Sequence, residues 1–516
     1  MKKVLTFSLL FLSFFPGFSH ESNILKSIDE GFRHYTQWFV DAVFYKIPFT
    51  DTFQVPWVVL LLIGGAIYFT FYFKFINITQ FFTAIRVVKG DYEDIDTDEK
   101  ITTSEKKAEG ELSHFQALAT ALSATVGLGN IAGVAVAISI GGPGATFWMI
   151  MGGFLGMATK FAECTLGVKY RDIGEDGTVF GGPMYYLKKG LAEKGMPKFG
   201  KALSYIFAVL VTCGAFGIGN LFQANQAAVQ FANLFGWEDQ TALLWIGAVL
   251  AFVVGLVIVG GVKRIAKVTE KLVPFMAILY ILSAFVIIGV NYKHIGDAFM
   301  AILNGAFSAH GISGGVAGVM IQGIRRSTFS NEAGIGSAPT AHAAVKTKYP
   351  ASEGIVALLE PFLDTVVICT MTALIIIITN FDHQYLAYGS EITEGVKITA
   401  YAFDTVFPHF SILLTIAVIL FAVSTMISWS YYGVQGWMYL FGRGAKTRLV
   451  YNILFCIGIW FGSAVSLNAV IDFSDAMNFS MAVPNIIGVV ILAAVIRKET
   501  QIYLAAIQKH KDKNKL

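Results

Sequence analysis

Charged residues and cysteines are scarce in this sequence of 516 residues. Only 14% of the residues are charged, whereas 55% are apolar, and this balance excludes a water-soluble protein of several domains. The formal net charge of +3 leaves no basic patch on which nucleic acid could bind. The four cysteines all lie within apolar runs, and their spacing suits neither a metal site nor a disulfide framework. The composition therefore predicts a polytopic membrane protein.

The first residues, "MKKVLTFSLLFLSFFPGFSHES", have the pattern of a secretory signal peptide. Two lysines precede a short apolar core, and Ser19 offers a small residue for cleavage. The apolar run of about 16 residues is shorter than the roughly 20 needed to cross a bilayer, which disfavours the alternative of an uncleaved anchor. We predict a signal peptide at residues 1–19 and an external segment at residues 20–55.

The rest of the chain contains eleven apolar runs that approach the length of a membrane helix, about 20 residues. An odd number of spans and an external N-terminus place the C-terminus in the cytoplasm, where the basic tail at residues 499–516 fits. The sequence thus predicts an all-α protein of the bacterial cytoplasmic membrane. The runs lie near residues 56–75, 113–141, 145–168, 202–234, 241–262, 272–292, 299–324, 354–379, 407–438, 449–467 and 475–496.

The placement of Lys and Arg supports this topology, because these residues concentrate in short cytoplasmic loops. The predicted outer loops hold little beyond Lys293 and Lys397. The polar segment at residues 90–112 is predicted to be a cytoplasmic linker, which separates a peripheral first helix and the start of that loop (residues 56–89) from the other ten helices. The predicted inner loops hold Arg86, Lys89, Lys106 and Lys107, then Lys188, Lys189, Lys198 and Lys201, then Lys263, Arg264 and Lys267, then Arg325 and Arg326, then Arg443, Lys446 and Arg448.

Two of the predicted helices are interrupted by glycine-rich stretches, "TVGLGN" at residues 125–130 and "HGISGG" at residues 310–315. Each glycine in a helix costs about 1 kcal/mol relative to alanine. Such stretches are either surfaces where helices pack closely or places where a helix unwinds. Each interruption falls in the first helix of a set of five, residues 113–292 and residues 293–498, and this arrangement is typical of an inverted-repeat transporter.

An unwound helix offers free main-chain N–H groups and free carbonyls at the middle of the membrane. These groups can bind an anion and a cation without a charged side chain. A zwitterion and an accompanying cation fit that description, so the sequence predicts a site for both at the breaks.

Several longer motifs resemble one known family. The motifs are "TALSATVGLGNIAGVAVAISIGGPGATFWM", "GGPMYYL", "GIGNLFQANQAA", "TFSNEAGIGSAPTAHAA", "LEPFLDTVVICTMTAL" and "STMISWSYYG". They resemble the alanine or glycine:cation symporter family (sodium:alanine symporters), roughly over residues 50 to 500. The resemblance implies a leucine-transporter-like fold, with one additional helix before a five-plus-five repeat. It also implies uptake of a small neutral amino acid, chiefly alanine or glycine, with Na⁺ as coupling ion and no other cofactor.

The resemblance also implies roles for individual residues. The substrate carboxylate would face the main chain of Val126, Gly127, Gly129 and Asn130, with Thr125 beside it. Gln223 would face the substrate, Ser313 and Gly314 would hold its amino group, and Trp429 would close the pocket. The sodium ligands implied by the resemblance are Ser123, Val126, Phe421, Ser424 and Thr425, of which Ser424 and Thr425 could equally bond to their own helix.

Several alternatives stay open from the sequence. His310 could couple transport to protons instead of Na⁺, since ionisable groups inside a membrane are functional candidates. A sensor with a transporter fold is a further alternative, whereas a channel would need a pore-lining ring of residues. Lys160 and Glu163 have the spacing of an intrahelical pair. Glu360 and Asp364 either anchor a kink at Pro361 and hydrogen-bond neighbouring helices, or touch a cation path.

Overall fold

The computed structural model describes residues 33–49, 54–97, 110–237, 239–307, 315–389, 395–464 and 467–513. Within these residues the chain is almost entirely helical. A helical stretch at residues 33–43 comes first. The labelled helices that follow are α1 (Trp57–Tyr72), α2 (Ile76–Thr79), α3 (Phe81–Lys89), α4 (Glu93–Thr97), α5 (His114–Thr125), α6 (Ala132–Gly141), α7 (Gly144–Lys169), α8 (Pro183–Glu193), α9 (Pro197–Phe216), α10 (Gln223–Phe235), α11 (Gln240–Ile258), α12 (Gly261–Val290), α13 (Ile295–Phe307), α14 (Gly315–Asn331), α15 (Pro339–His342), α16 (Pro350–Val356), α17 (Leu359–Pro361), α18 (Thr370–His383), α19 (Gly395–Asp404), α20 (Ser411–Phe441), α21 (Ala445–Gly462), α22 (Leu467–Ile491) and α23 (Ala493–Lys513).

Short irregular segments complete these helices. A π-helical segment, Gly217–Phe222, joins α9 to α10, and a second, Phe362–Cys369, joins α17 to α18. Two antiparallel strand pairs lie outside the helices. The first pair is β1 (Lys46–Pro48) with β2 (Gln54–Pro56), and the second is β3 (Asp172–Ile173) with β4 (Val179–Phe180).

In the described part of the chain, five helical segments are long and apolar enough to cross a membrane. The number rises to seven if each of two bent helix pairs forms one span. A helix lies at each of the eleven predicted runs, but some of these helices are too short or too polar to cross a membrane. Helix α14, for example, has only 17 residues, and α7 contains charged side chains and several glycines. The chain is thus a helical membrane protein, and the total of eleven spans stays a prediction.

Two groups of packed helices position the site. In the first group, α7 packs against α14 and α16. In the second, α20 packs against α9, α10 and α21. Helix α5 contacts α16 of the first group and α20 of the second, and it therefore lies between the two groups. The seam between α5 and α20 is where the candidate site is found.

The prediction that Arg325 and Arg326 lie in an inner loop is wrong. Both residues lie within α14, between Gly315 and Asn331. Arg325 donates to the carboxylate of Asp475 on α22 at 2.8 Å, and Arg326 lies 3.7 Å from the same carboxylate. A carboxylate partner allows the arginines to lie inside the helical bundle, which a count of loop charges does not detect.

Candidate functional site

The first break separates α5 from α6. Helix α5 begins with a capping box, in which Ser113 accepts a hydrogen bond from the amide of Gln116 and the Gln116 side chain accepts one from the amide of Ser113. The helix ends at Thr125, the backbone is extended at Val126 and Gly127, and a short 3₁₀ turn covers Leu128–Asn130. The two halves are bent by 58°. The interruption predicted at residues 125–130 is therefore present.

Asn130 holds this break together. Its Oδ1 accepts from the amide of Gly127 at 2.8 Å, and its Nδ2 donates to the Oδ1 and the main-chain oxygen of Asp364 at 2.7 and 3.0 Å. Asp364 lies in the π-helical segment before α18 and also accepts from Ser330 and Thr365 through Oδ2. The carboxylate of Asp364 thus connects the first break to α14 and α18. Asp364 therefore makes the hydrogen bonds to neighbouring elements that one of its two predicted roles requires, and the cation path stays a prediction.

A second break lies beside the first, at residues 332–338. Helix α14 ends at Asn331, and Glu332, Gly334 and Gly336 then have positive φ angles of 55°, 91° and 88°. A Cβ atom on Gly129 would lie 3.4 Å from the Phe329 ring and from the Cα of Ser330. The end of α14 therefore faces the first break. The interruption predicted at residues 310–315, with His310, Ser313 and Gly314, lies outside the described residues.

Gly127, Thr425 and Gln223 lie next to one another at the first break. A Cβ atom on Gly127 would lie only 2.8 Å from Thr425 Oγ1 and 3.8 Å from Gln223 Oε1. Gln223 is 4% exposed, and its Oε1 is a buried oxygen with no hydrogen-bond partner in the described structure. A buried acceptor of this kind is costly unless a ligand satisfies it. The structure thus brings together three residues that lie far apart in the sequence.

The oxygen atoms at the seam between α5 and α20 form the candidate cation site. Ser424 Oγ lies 2.9 Å from the Phe421 carbonyl and 3.4 Å from the Ser123 carbonyl. Thr425 Oγ1 lies 3.2 Å from that same Ser123 carbonyl. The Ser123 hydroxyl donates to the Ser424 carbonyl at 2.8 Å. Four of the five predicted sodium ligands are therefore neighbours, and carbonyl and hydroxyl oxygens are the donors that a hard cation prefers.

The remaining predicted residues of the first break are placed less directly. Val126 follows α5, and its amide donates to the Leu122 carbonyl at 2.7 Å. The Thr125 hydroxyl bonds back to the carbonyls of Ala121 and Leu122 at 3.4 and 3.5 Å. Among the described contacts, neither side chain reaches the seam.

Trp429 is fully buried one turn beyond Thr425. A Cβ atom on Gly219 would lie 2.5 Å from the Trp429 Cβ, so only glycine leaves room for the indole. The indole Nε1 donates to Glu332 Oε1 at 3.0 Å. Trp429 therefore connects α20 to the second break. Beyond it along α20, Tyr431, Val434 and Gln435 line a separate cavity.

A network of buried charged residues lies next to the second break. Lys160 donates to Glu360 Oε1 at 2.9 Å, so the intrahelical pair with Glu163 is not formed and that prediction is wrong. His342 contacts Glu353 Oε1 at 2.5 Å and lies 3.5 Å from Glu360 Oε2. His114 also bonds to Glu353. Glu360 is therefore part of an ion-pair network that extends from α7 to the start of α5.

Sequence reasoning did not find Phe329 or Ser330 as parts of the site. The glycines and proline of "FSNEAGIGSAP" are typical of loops at any depth. Its two glycines with positive φ are the signal that could have revealed a second break. The π-helical segment around Asp364 has no such signal in the sequence, although segments of this kind are common at functional sites.

Comparison with solved structures identifies the fold. The crystal structure of MhsT in complex with L-phenylalanine matches with a TM-score of 0.50 and 15% identity, over 76% of this chain and 99% of that one. A manganese transporter of Eremococcus coleocola gives a TM-score of 0.50 and 14% identity, over 77% and 83%. The chain thus has a helical fold like that of membrane transporters.

The sequence comparisons then give the family. The model of the sodium:alanine symporter family matches residues 39–516, and this chain belongs to that family. The sodium/alanine symporter AgcS of Methanococcus maripaludis is 41% identical over 461 residues, which cover 89% of this chain and 96% of that protein. The probable sodium/glutamine symporter GlnT of Bacillus subtilis is 34% identical, over 85% and 86%. The chain is a transporter and not an enzyme.

Proposed function

We propose that this protein takes up a small neutral amino acid, alanine or glycine, together with Na⁺ by alternating access. The observation that carries the proposal is the seam between α5 and α20. There the hydroxyls of Ser424 and Thr425 lie 3.4 and 3.2 Å from the Ser123 carbonyl. Gly127 and Gln223 lie directly beside Thr425. One place thus combines the ligands of a hard cation with those of a zwitterion.

The substrate would be held chiefly by main-chain groups. The amides of Val126 and Gly127 are already bonded, so the amides of Leu128 and Gly129 are those in the break to which a carboxylate can bind. The unpaired Oε1 of Gln223 is a suitable acceptor for the ammonium group. Because any α-amino acid offers these two groups, the choice of side chain would rest with Phe329, Trp429 and their neighbours. One methylene is worth only about 1 to 3 kcal/mol in such a pocket.

Na⁺ would bind between two helix groups rather than within one. Ser123 and Val126 belong to the broken helix, whereas Phe421, Ser424 and Thr425 belong to α20. A cation at this seam favours the closed arrangement, because each group alone holds only part of the ligand set. Moving one charge across 100 mV supplies about 2.3 kcal/mol, which is enough to concentrate the amino acid.

We also propose how the helices are arranged in the membrane. The first helix would be peripheral and ten helices would form a five-plus-five inverted repeat in the cytoplasmic membrane, with the N-terminus outside and the C-terminus inside. Helix α1 packs against α7 and α22 on the outside of the first helix group, which supports its peripheral position. The names of AgcS and GlnT associate related carriers with alanine and with glutamine, so the common element is an amino acid with Na⁺.

Reconstitution into liposomes tests the proposal. We expect labelled alanine to accumulate under an inward Na⁺ gradient, and unlabelled glycine to compete better than glutamine. Accumulation driven by a proton gradient alone would replace Na⁺ by H⁺ and direct attention to His310. If substrate binds but does not accumulate under either gradient, the protein is a sensor and the proposal is wrong.

A further inference from the structure

Glu163 is a buried carboxyl group that the proposed transport mechanism does not use. It lies in the middle of α7 and is fully buried. Its Oε1 accepts from Asn485 Nδ2 at 2.5 Å, whereas its Oε2 has no hydrogen-bond partner among the described groups. An ionised carboxylate with an unsatisfied oxygen is among the most costly groups to bury. This residue therefore needs either a cation or a proton.

The neighbouring charges leave no cation for Glu163. Lys160, one turn before it, donates to Glu360. His342 bonds to Glu353 through Nδ1, and its Nε2 lies 3.5 Å from Glu360 Oε2. Lys160 and His342 thus each lie against a carboxylate other than Glu163.

The other charged groups nearby are already engaged as well. Glu332 accepts hydrogen bonds from the Trp429 indole and the Ser337 hydroxyl, and His114 bonds to Glu353. Buried charges are tolerated when they are paired. An ionised Glu163 would add a buried carboxylate for which these contacts provide no paired cation.

We propose that Glu163 is a proton-binding site of this carrier, protonated in the described arrangement and ionised when the pathway opens past the second break. This inference rests on the proposed transport function. The connection to the break is direct, because Asn485 Nδ2 donates both to Glu163 and to the carbonyl of Gly334 at 2.8 Å. Asn485 also accepts from the Tyr186 hydroxyl. Movement of the break or of α22 would therefore open the surroundings of Glu163 to water.

The groups that face Glu163 define how its proton could exchange. Lys160 and Cys164 come from its own helix, Tyr186 from α8, Glu360 from α17 and Asn485 from α22. From Glu360 the series continues through His342 and Glu353 to His114. The His114 side chain is 14% exposed. The series therefore leads from the second break to the surface at the start of α5.

Infrared spectroscopy of the full-length protein in lipid tests the site independently of transport. We expect wild-type protein at neutral pH to show the carbonyl stretch of a buried protonated carboxyl group, and this band to be lost in Glu163→Gln. The matched control is Glu499→Gln, because Glu499 also bonds to a lysine of α7, Lys169, but lies outside the network. It should keep the band. An unchanged band in Glu163→Gln would overturn the proposal.

The pH dependence of uptake provides the second measurement. Glutamine resembles the protonated carboxyl, so Glu163→Gln should still take up alanine under a Na⁺ gradient but should lose the decline in rate that we expect for wild-type protein in alkaline buffer. Retention of that decline in the variant would contradict the assignment. If wild-type protein does not transport alanine at all, the proposed function fails, whereas the infrared result still decides the protonation of Glu163.

Discussion

Replacing Thr425 by valine should weaken Na⁺ binding with little effect on the fold. Valine keeps the branched shape of threonine and removes only the hydroxyl that lies 3.2 Å from the Ser123 carbonyl. A hydrogen-bonding or dipolar contact to a charged group is worth about 1.5 to 3 kcal/mol. We therefore expect the Na⁺ concentration for half-maximal alanine uptake to rise about 10- to 150-fold. The measurement is initial uptake into proteoliposomes over a series of Na⁺ concentrations.

Two further variants separate loss of the ligand from general damage. Thr425→Ser restores the hydroxyl and should recover most of the Na⁺ affinity. Thr415→Val removes a buried hydroxyl from the same helix, one that accepts from Gln230 and lies away from the seam, and it should leave the Na⁺ dependence unchanged. If Thr425→Val and Thr415→Val show the same Na⁺ dependence as wild-type protein, the seam is not the cation site.

Three other predictions follow from the described contacts. Gly127→Ala should fold, because the φ angle of −147° suits alanine. Its methyl group would lie 2.8 Å from the Thr425 hydroxyl, and an overpacking cost of about 1 to 3 kcal/mol should weaken alanine binding, measured by uptake, about 5- to 150-fold. Gly289→Ala, which has open space around the added methyl group, serves as the control. Lys160→Met should destabilise the protein by about 3 to 5 kcal/mol because it leaves Glu360 unpaired, and adding Glu360→Gln should recover most of the loss in melting temperature; no recovery would mean that the pair is not the cause. Burial alone would raise the pKa of Asp172, but hydrogen bonds from Lys189 and Arg443 lower it below the usual 3.8. The ionised Asp172 thus stabilises the fold fully above pH 3.8, and this stabilisation is lost as the pH falls through the lower pKa of the folded state. The difference in melting temperature between wild-type protein and Asp172→Asn should therefore disappear on acidification.

The elements that local sequence determines could be predicted, and those that depend on distant contacts could not. The glycines and Asn130 in "TVGLGN" sufficed to place the first break, because the cost of glycine in a helix acts locally. The resemblance to a family supplied Gln223 and the hydroxyls on α20, which the structure brings beside that break. The interaction of Asn130 with Asp364 joins residues 234 positions apart, and no pattern in the sequence encodes such a pair.

The partners of the buried charged residues were the features that the sequence predicted least well. The sequence suggested an intrahelical pair for Lys160, but the buried partner is on another element. Spacing along one helix shows which side chains can form an ion pair. A buried charged side chain requires a partner, however, and that partner can come from any element packed against it. The same reasoning explains Arg325, whose partner on α22 compensates for its position inside the bundle.

The double role of Asn130 restricts how the carrier can move. One end of its amide is tied to Gly127 within the broken segment, and the other end is tied to Asp364 before α18. The break is therefore braced and cannot act as a free hinge between α5 and α6. Ser123 and Ser424 meet at a different boundary, the seam between α5 and α20. An ion bound at this seam would connect the two helices, so Na⁺ binding would act on the position of α5 relative to α20 and not on the angle of the break.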